Sequence, residues 1–167
     1  MYQFMKTSAL TKNSLSAATR SKAAALLNQT LANCSDLYSQ TKQAHWNLRG
    51  PRFYQFHLLF DRLAEAVEKH LDTIAERVSS LGAIARGTVR DAAKHSALAE
   101  FPTEPAGDSA YLAALTDRYA LAANATRKAI GEANDAGDAD TADLLTQVSR
   151  DLDEALWLLE AHATGKD

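Results

Sequence analysis

Apolar residues recur along most of this chain at the three- and four-residue spacing of an amphipathic helix. A first helix is predicted from about Ser16 to about Asn47, with Ala24, Leu27, Leu31, Cys34, Tyr38 and Leu48 on its inner face. Gly50 and Pro51 in "LRGPRF" break it. A second helix runs from about Phe53 to Leu81 on the stripe Phe60, Leu63, Val67, Leu71, Ile74, Val78 and Leu81, and Gly82 suits its end. The stretch "AIARGTVRDAAKHSALAEFPTEPAGD" follows, too long for a turn, with a short helix expected around Arg90 to Leu98. Asp108 or Ser109 is the predicted cap of a third long helix, whose stripe holds Leu112, Leu115, Tyr119 and Ile130. After "NDAGDAD", a fourth long helix runs from about Thr141 to Ala161, with Leu144, Val148, Leu152, Ala155, Leu156 and Leu159 inward.

Two short links imply two antiparallel hairpins, and the long middle link permits a crossover along the bundle. The expected fold is therefore all-α: a ferritin-like four-helix bundle with one long crossover carrying a short helix. Residues 1–15 lack periodicity and read as a flexible basic tail, and residues 16–167 as one bundle domain. A length of 167 residues suits one domain with a sizeable core. No run approaches a membrane span, and no convincing signal peptide is present. Cys34 is the sole cysteine, which excludes an internal disulfide and makes a reducing cytoplasm the simplest home.

Charge adds an asymmetry. From Met1 to Ser35 the side chains charged at pH 7 are Lys6, Lys12, Arg20 and Lys22, a net +4. That leaves −7 for the rest of a chain whose total is −3. A basic arm on an acidic body is a candidate contact for nucleic acid.

The chemistry concentrates in "QAHWNLRGPRFYQFHLLFDRLAEAVEKHLDTIAERVSSLG". His57 and Asp61 are four residues apart, as are Asp72 and Glu76 further on. At about 100° per residue, all four share one polar ridge beside the apolar stripe, and His70 falls off it. At about 1.5 Å per residue, however, the two pairs lie roughly 22 Å apart. They cannot meet within one chain. Two copies of this helix, antiparallel across a two-fold axis, would bring the His/Asp half of one to the Asp/Glu half of the other and create two identical sites. His45, close to the start of the same helix, is placed to join the His57/Asp61 half. Mixed imidazole and carboxylate donors suit iron, zinc or manganese. No E-x-x-H or H-E-x-x-H motif is present. The bland reading is a solvated acidic face, since i,i+4 pairs of this kind are generic.

"KQAHWNLRGPRF", "FHLLFD" and "HLDTIAERVSSLGA", continued by "DRYALAANATRKAIGEANDAGDADTADLLTQVSRDLDEALWLLEA", closely resemble the signature of the Dps family of mini-ferritins, the DNA-binding proteins from starved cells. The resemblance runs from about Lys22 onward. It implies a cytoplasmic homo-dodecamer with ferroxidase sites at two-fold interfaces, where Fe(II) is oxidised by hydrogen peroxide, or more slowly by dioxygen, and stored as ferric mineral. The family's ligand positions match His45, His57, Asp61, Asp72 and Glu76. By this likeness His57, Asp61 and Glu76 are the closest iron ligands, His45 serves a weaker second metal or a bridging water, and Asp72 supports the site. Zinc is an alternative resting occupant. Trp46 matches the family's one-electron relay, though packing at a helix end explains it as well. Trp157 reads as core or interface. The matching iron-entry pore residues are Glu132, Asp140 and Asp143, with extra residues in "NDAGDAD" altering the local pattern. Lys6, Lys12, Arg20 and Lys22 are the candidate contacts for non-specific DNA, weak per tail but additive over twelve. A contrasting expectation is a purely structural DNA-compacting shell with a vestigial or zinc-filled site.

Overall fold

A computed structural model describes residues 11–104 and 107–163. Five helices make up the regular structure of these residues: α1 (Ala17–Asn47), α2 (Phe53–Ser80), α3 (Val89–His95), α4 (Asp108–Asp135) and α5 (Ala139–Ala163). The ends follow local chemistry. Ser16 caps α1 by accepting the backbone N–H of Thr19 at 3.1 Å, and Thr88 caps α3 through that of Asp91. α2 closes on Gly82 at φ +76°, with Gly82 N donating to Ser79 O and Ala83 N to Val78 O. α4 closes in the same manner on Gly137 at φ +81°, so both ends use glycine to reach the left-handed region.

Side-chain pairs fix the packing directions. Lys42 meets Asp61 and His45 meets His57, so α1 and α2 run antiparallel. Lys22 meets Glu132 and Thr41 meets Tyr119, so α1 and α4 do as well. Arg62 with Glu154, His70 with Asp151 and Arg77 with Thr141 stitch α2 antiparallel to α5. Arg52 at the start of α2 reaches Asp108 at the start of α4. The 81–107 connection therefore travels the length of the bundle, and α3 packs on α1 along the way. This is the crossover bundle expected from the helical periodicities.

The core runs through all four long helices. Leu27, Leu37, Phe56, Phe60, Ile74, Leu115, Tyr119, Leu145, Leu152 and Leu159 are fully buried. Leu37 and Leu145 take innermost positions that the apolar stripes assign to their neighbours Tyr38 and Leu144, which are half-buried. Tyr119 brings a hydroxyl into the core, where it donates to Thr41 Oγ1 at 3.1 Å, and Thr41 in turn donates to Leu37 O. Burial pushes the Tyr119 phenol well above its ordinary range.

Three expectations change. The cap of α4 is Gly107; Asp108 is turned instead toward Arg52, whose guanidinium and backbone N–H compete for its carboxylate. α5 starts at Ala139 because Asp138 caps it, accepting Thr141 N at 3.1 Å and Thr141 Oγ1 at 2.6 Å. Residues 11–15 are tethered to the bundle. Thr11 Oγ1 donates to Ser80 O, Arg20 Nη1 donates to the carbonyls of Asn13 and Leu15, and Leu15 packs against the core. Positions 1–10 of the expected tail lie outside the described residues.

Candidate metal half-sites

His45 sits in the last turn of α1 and His57 in the second turn of α2. Their rings stack with centroids 3.8 Å apart and planes 20° from parallel. Each Nδ1 faces the other residue's backbone carbonyl: His45 Nδ1 to His57 O at 2.9 Å and His57 Nδ1 to His45 O at 3.3 Å. A carbonyl only accepts, so both Nδ1 atoms carry hydrogen and donate. Both Nε2 atoms of the neutral rings then hold lone pairs. A histidine that binds metal through Nε2 needs this tautomer, and a backbone acceptor on Nδ1–H holds it. Phe53 stacks on the outer face of His57 at 5.1 Å, and His45 is only 8% exposed.

Asp61 lies one turn along α2 from His57. Its Oδ1 is 3.8 Å from His45 Nε2 and 2.6 Å from Lys42 Nζ. The hydrogen-bonded ammonium of Lys42 holds the Asp61 carboxyl below the usual carboxylate range, and the reciprocal effect raises the pKa of Lys42. Lys42 was not among the sequence candidates, although it lies three residues before His45 on the same face of α1. It places a cation where a metal ion would otherwise neutralise Asp61. The same ammonium lies 5.9 Å from the centre of the Trp46 ring, and Trp46 is 67% exposed.

Asp72 and Glu76 are exposed near the other end of α2. The single unbroken helix carrying both pairs keeps them roughly 22 Å apart. Among the described residues, no three His, Cys, Asp or Glu side chains gather into a group able to hold a metal ion. His45, His57 and Asp61 lie toward one end of α2, and Asp72 and Glu76 toward the other. Two imidazoles and up to three carboxylates are suitable ligands for a divalent first-row metal ion.

The remaining candidates are scattered. Glu132 pairs with Lys22, which holds its carboxyl below the ordinary range. Asp143 is exposed, and the exposed Asp140 lies 3.8 Å from Arg77. Beside Asp140 is a polar cavity of about 400 Å³ lined by Asn13, Ser14, Leu15, Gly137, Asp138 and Ala139. Of the basic candidates, Lys12 is exposed, Arg20 is engaged with Asn13 and Leu15, and Lys22 with Glu132. Lys6 lies outside the described residues. Trp157 is not part of the core; it stands on the outer face of α5 and is 63% exposed. No helix among the described residues is long and apolar enough to cross a membrane.

Comparison with known proteins gives a consistent family. The family model for the ferritin-like domain matches residues 24–165. The DNA protection during starvation protein of Agrobacterium fabrum is 45% identical over 156 residues, covering 93% of this chain and 96% of that protein. DpsC from Streptomyces coelicolor has a similar structure, with a TM-score of 0.92 at 30% identity over 100% of this chain and 98% of that one. Mycobacterium smegmatis Dps in its tetragonal form has a TM-score of 0.88 at 32% identity, covering 93% of each chain.

Proposed function

The chain belongs to the Dps family of ferritin-like proteins, and on that premise we propose that it is a ferroxidase that stores iron and so protects DNA from oxidative damage. Fe(II) is its substrate, bound between subunits of a homo-dodecamer. His45, His57 and Asp61 come from one subunit, and Asp72 and Glu76 from the two-fold partner. The observation that carries this reading is the reciprocal Nδ1–carbonyl pairing of His45 and His57. It leaves Nε2 of each neutral ring free to bind metal, with His45 Nε2 3.8 Å from Asp61 Oδ1, and α2 is too long for its own acidic pair to join them.

The reaction balances simply. Two Fe(II) ions each give one electron to hydrogen peroxide, whose O–O bond breaks, and with two protons it leaves as two waters. Dioxygen is the slower oxidant in this proposal. The Fe(III) product hydrolyses and collects as mineral inside the shell. The protein's residues bind and orient the ions. Lys42 bonds Asp61 Oδ1 and so competes with a metal ion for that carboxylate's charge, while Oδ2 has no such bond to Lys42. Trp46, exposed beside Lys42, is placed to intercept stray one-electron oxidants. Glu132, Asp140 and Asp143 are the proposed iron-entry acids, and clustering them about a narrow opening would concentrate Fe(II).

The test is anaerobic Fe(II) loading followed by peroxide, read by the stoichiometry and the ferric absorbance. The double variant His57→Ala/Asp61→Ala should oxidise Fe(II) at least tenfold more slowly while still assembling. An unchanged rate in an intact shell would reject the site. The alternative of a structural DNA-compacting shell draws less support, because Arg20 and Lys22 make contacts within the bundle. Lys6 and Lys12 then carry any phosphate contact, with strong salt dependence. A plasmid gel shift at low and moderate salt, with and without residues 1–14, measures that directly.

A further inference from the structure

The turn between α1 and α2 sets how His45 faces His57. α1 ends at Asn47 and α2 begins at Phe53, so residues 48–52 join the two helices that carry the histidines and set where α2 starts relative to His45. The group that holds this turn lies far away in the sequence. Asp108, the first residue of α4, is only 6% exposed. Its Oδ2 accepts the backbone N–H of Arg52 at 3.1 Å and Arg52 Nε at 3.3 Å, and its Oδ1 accepts Arg52 Nη2 at 3.1 Å. Gly50 stands against the same carboxylate. Its φ is +146°, and a Cβ there would lie 2.7 Å from Asp108 Oδ2. Glycine is therefore required both for the backbone angle and for the close approach.

A buried carboxylate is a demanding way to fasten a loop, since it must be desolvated and fully bonded. Apolar packing would supply proximity alone. Three directed hydrogen bonds to one residue, one of them to its backbone, fix the position and orientation of the chain as it enters α2. We propose that Asp108 is a positioning residue for the half-site: by clamping the Gly50–Arg52 turn it keeps His45 and His57 in the tautomer with hydrogen on Nδ1 and the lone pair on Nε2. The use made of those lone pairs rests on the functional reading above. The tautomer itself is a property of the metal-free chain.

The experiment uses the assembled, metal-free protein labelled with ¹⁵N in histidine, sedimented and observed by magic-angle-spinning NMR. It is run near pH 8, where histidine of ordinary pKa is neutral. Protonated and bare ring nitrogens resonate far apart, and single His→Gln variants assign the signals. Wild type should show His45 and His57 protonated at Nδ1. In Asp108→Ala one or both should redistribute toward the Nε2-protonated form, and the dissociation constant for Co(II), measured by titration without oxidant, should rise about tenfold or more. Asp108→Asn keeps an acceptor oxygen for the Arg52 backbone N–H and should restore most of both readouts.

A folded Asp108→Ala with the wild-type nitrogen pattern would overturn the proposal and leave Asp108 as a staple of the fold. If that variant does not fold, Arg52→Ala, which removes both guanidinium bonds to Asp108, carries the comparison. Wild-type tautomers in a folded Arg52→Ala would overturn the proposal equally. The two readings separate cleanly. Shifted tautomers in a protein whose wild type does not oxidise Fe(II) uphold the positioning role and reject the ferroxidase. Unshifted tautomers in an active protein do the reverse.

Discussion

Asp138→Ala should be among the most damaging single changes at the α2–α5 seam. The Asp138 carboxylate is 2% exposed and serves two helices. For α5 it is the cap, accepting Thr141 N at 3.1 Å and Thr141 Oγ1 at 2.6 Å. For α2 it is the partner of Arg77 Nη2 at 2.7 Å, and Arg77 is itself only 15% exposed. Loss of the cap costs about 1 kcal/mol. Leaving a buried guanidinium without its carboxylate costs about 3–5 kcal/mol. Asp140 Oδ2 stands 3.8 Å from the same nitrogen but is 86% exposed, so screening limits what it recovers. The net loss is then about 3–5 kcal/mol. At roughly 2–4 °C per kcal/mol for a chain of this size, melting should fall by about 6–20 °C. Asp138→Asn retains an acceptor for the cap and loses only the charge, so it should cost about 1.5–3 kcal/mol. Calorimetry at equal protomer concentration provides the assay, because assembly couples melting to concentration. If Asp138→Ala melts within about 2 °C of wild type, Arg77 is satisfied by other groups and the argument is wrong.

Lys42→Met should tighten Co(II) binding severalfold in an anaerobic titration, because it removes the ammonium that competes for Asp61; unchanged or weaker binding would show that Lys42 does not obstruct the ligand. Asp108 carries a pH signature. Its side-chain bonds to Arg52 depress its folded pKa, so its stabilisation is complete above the ordinary carboxylate value of about 4 and disappears as pH falls through the depressed value. Thermal melts across pH should therefore show the gap between wild type and Asp108→Asn open at neutral pH and closing in acid, and a gap that widens in acid would contradict the assignment.

Much of this architecture was legible in the chain because helical periodicity is a local signal. The four stripes placed the four long helices, and the 3.6-residue wheel set His70 apart from the ridge. His70 is buried and bonded to Asp151. The two-half arrangement of the ligand candidates came from helical rise alone. What escaped was settled by partners distant in sequence. Asp108 has the chemistry of a cap, yet Arg52 claims it from 56 residues away. Asp138 looked like part of a loop until Thr141 and Arg77 converged on it. Residues 11–15 have no periodicity to read; a bond to Ser80, two from Arg20 and the packing of Leu15 hold them. Lys42 illustrates a different limit. Its position three residues before His45 was visible, but its choice of Asp61 depends on how closely α1 and α2 approach.

One feature of the core bears on chemical durability. Cys34 is fully buried, and burial pushes its thiol up to about 12. The thiolate is the form that attacks peroxide, and a thiol raised this far carries almost none of it near pH 7, even if peroxide could reach the sulfur. The sole sulfhydryl of the chain is thus insulated twice, by access and by protonation. If the proposed peroxide chemistry holds, the chain's one thiol stays off the oxidation ladder. Peroxide titrations should then need no thiol correction, and repeated turnover should leave neither cysteine sulfinic acid nor disulfide-linked chains behind.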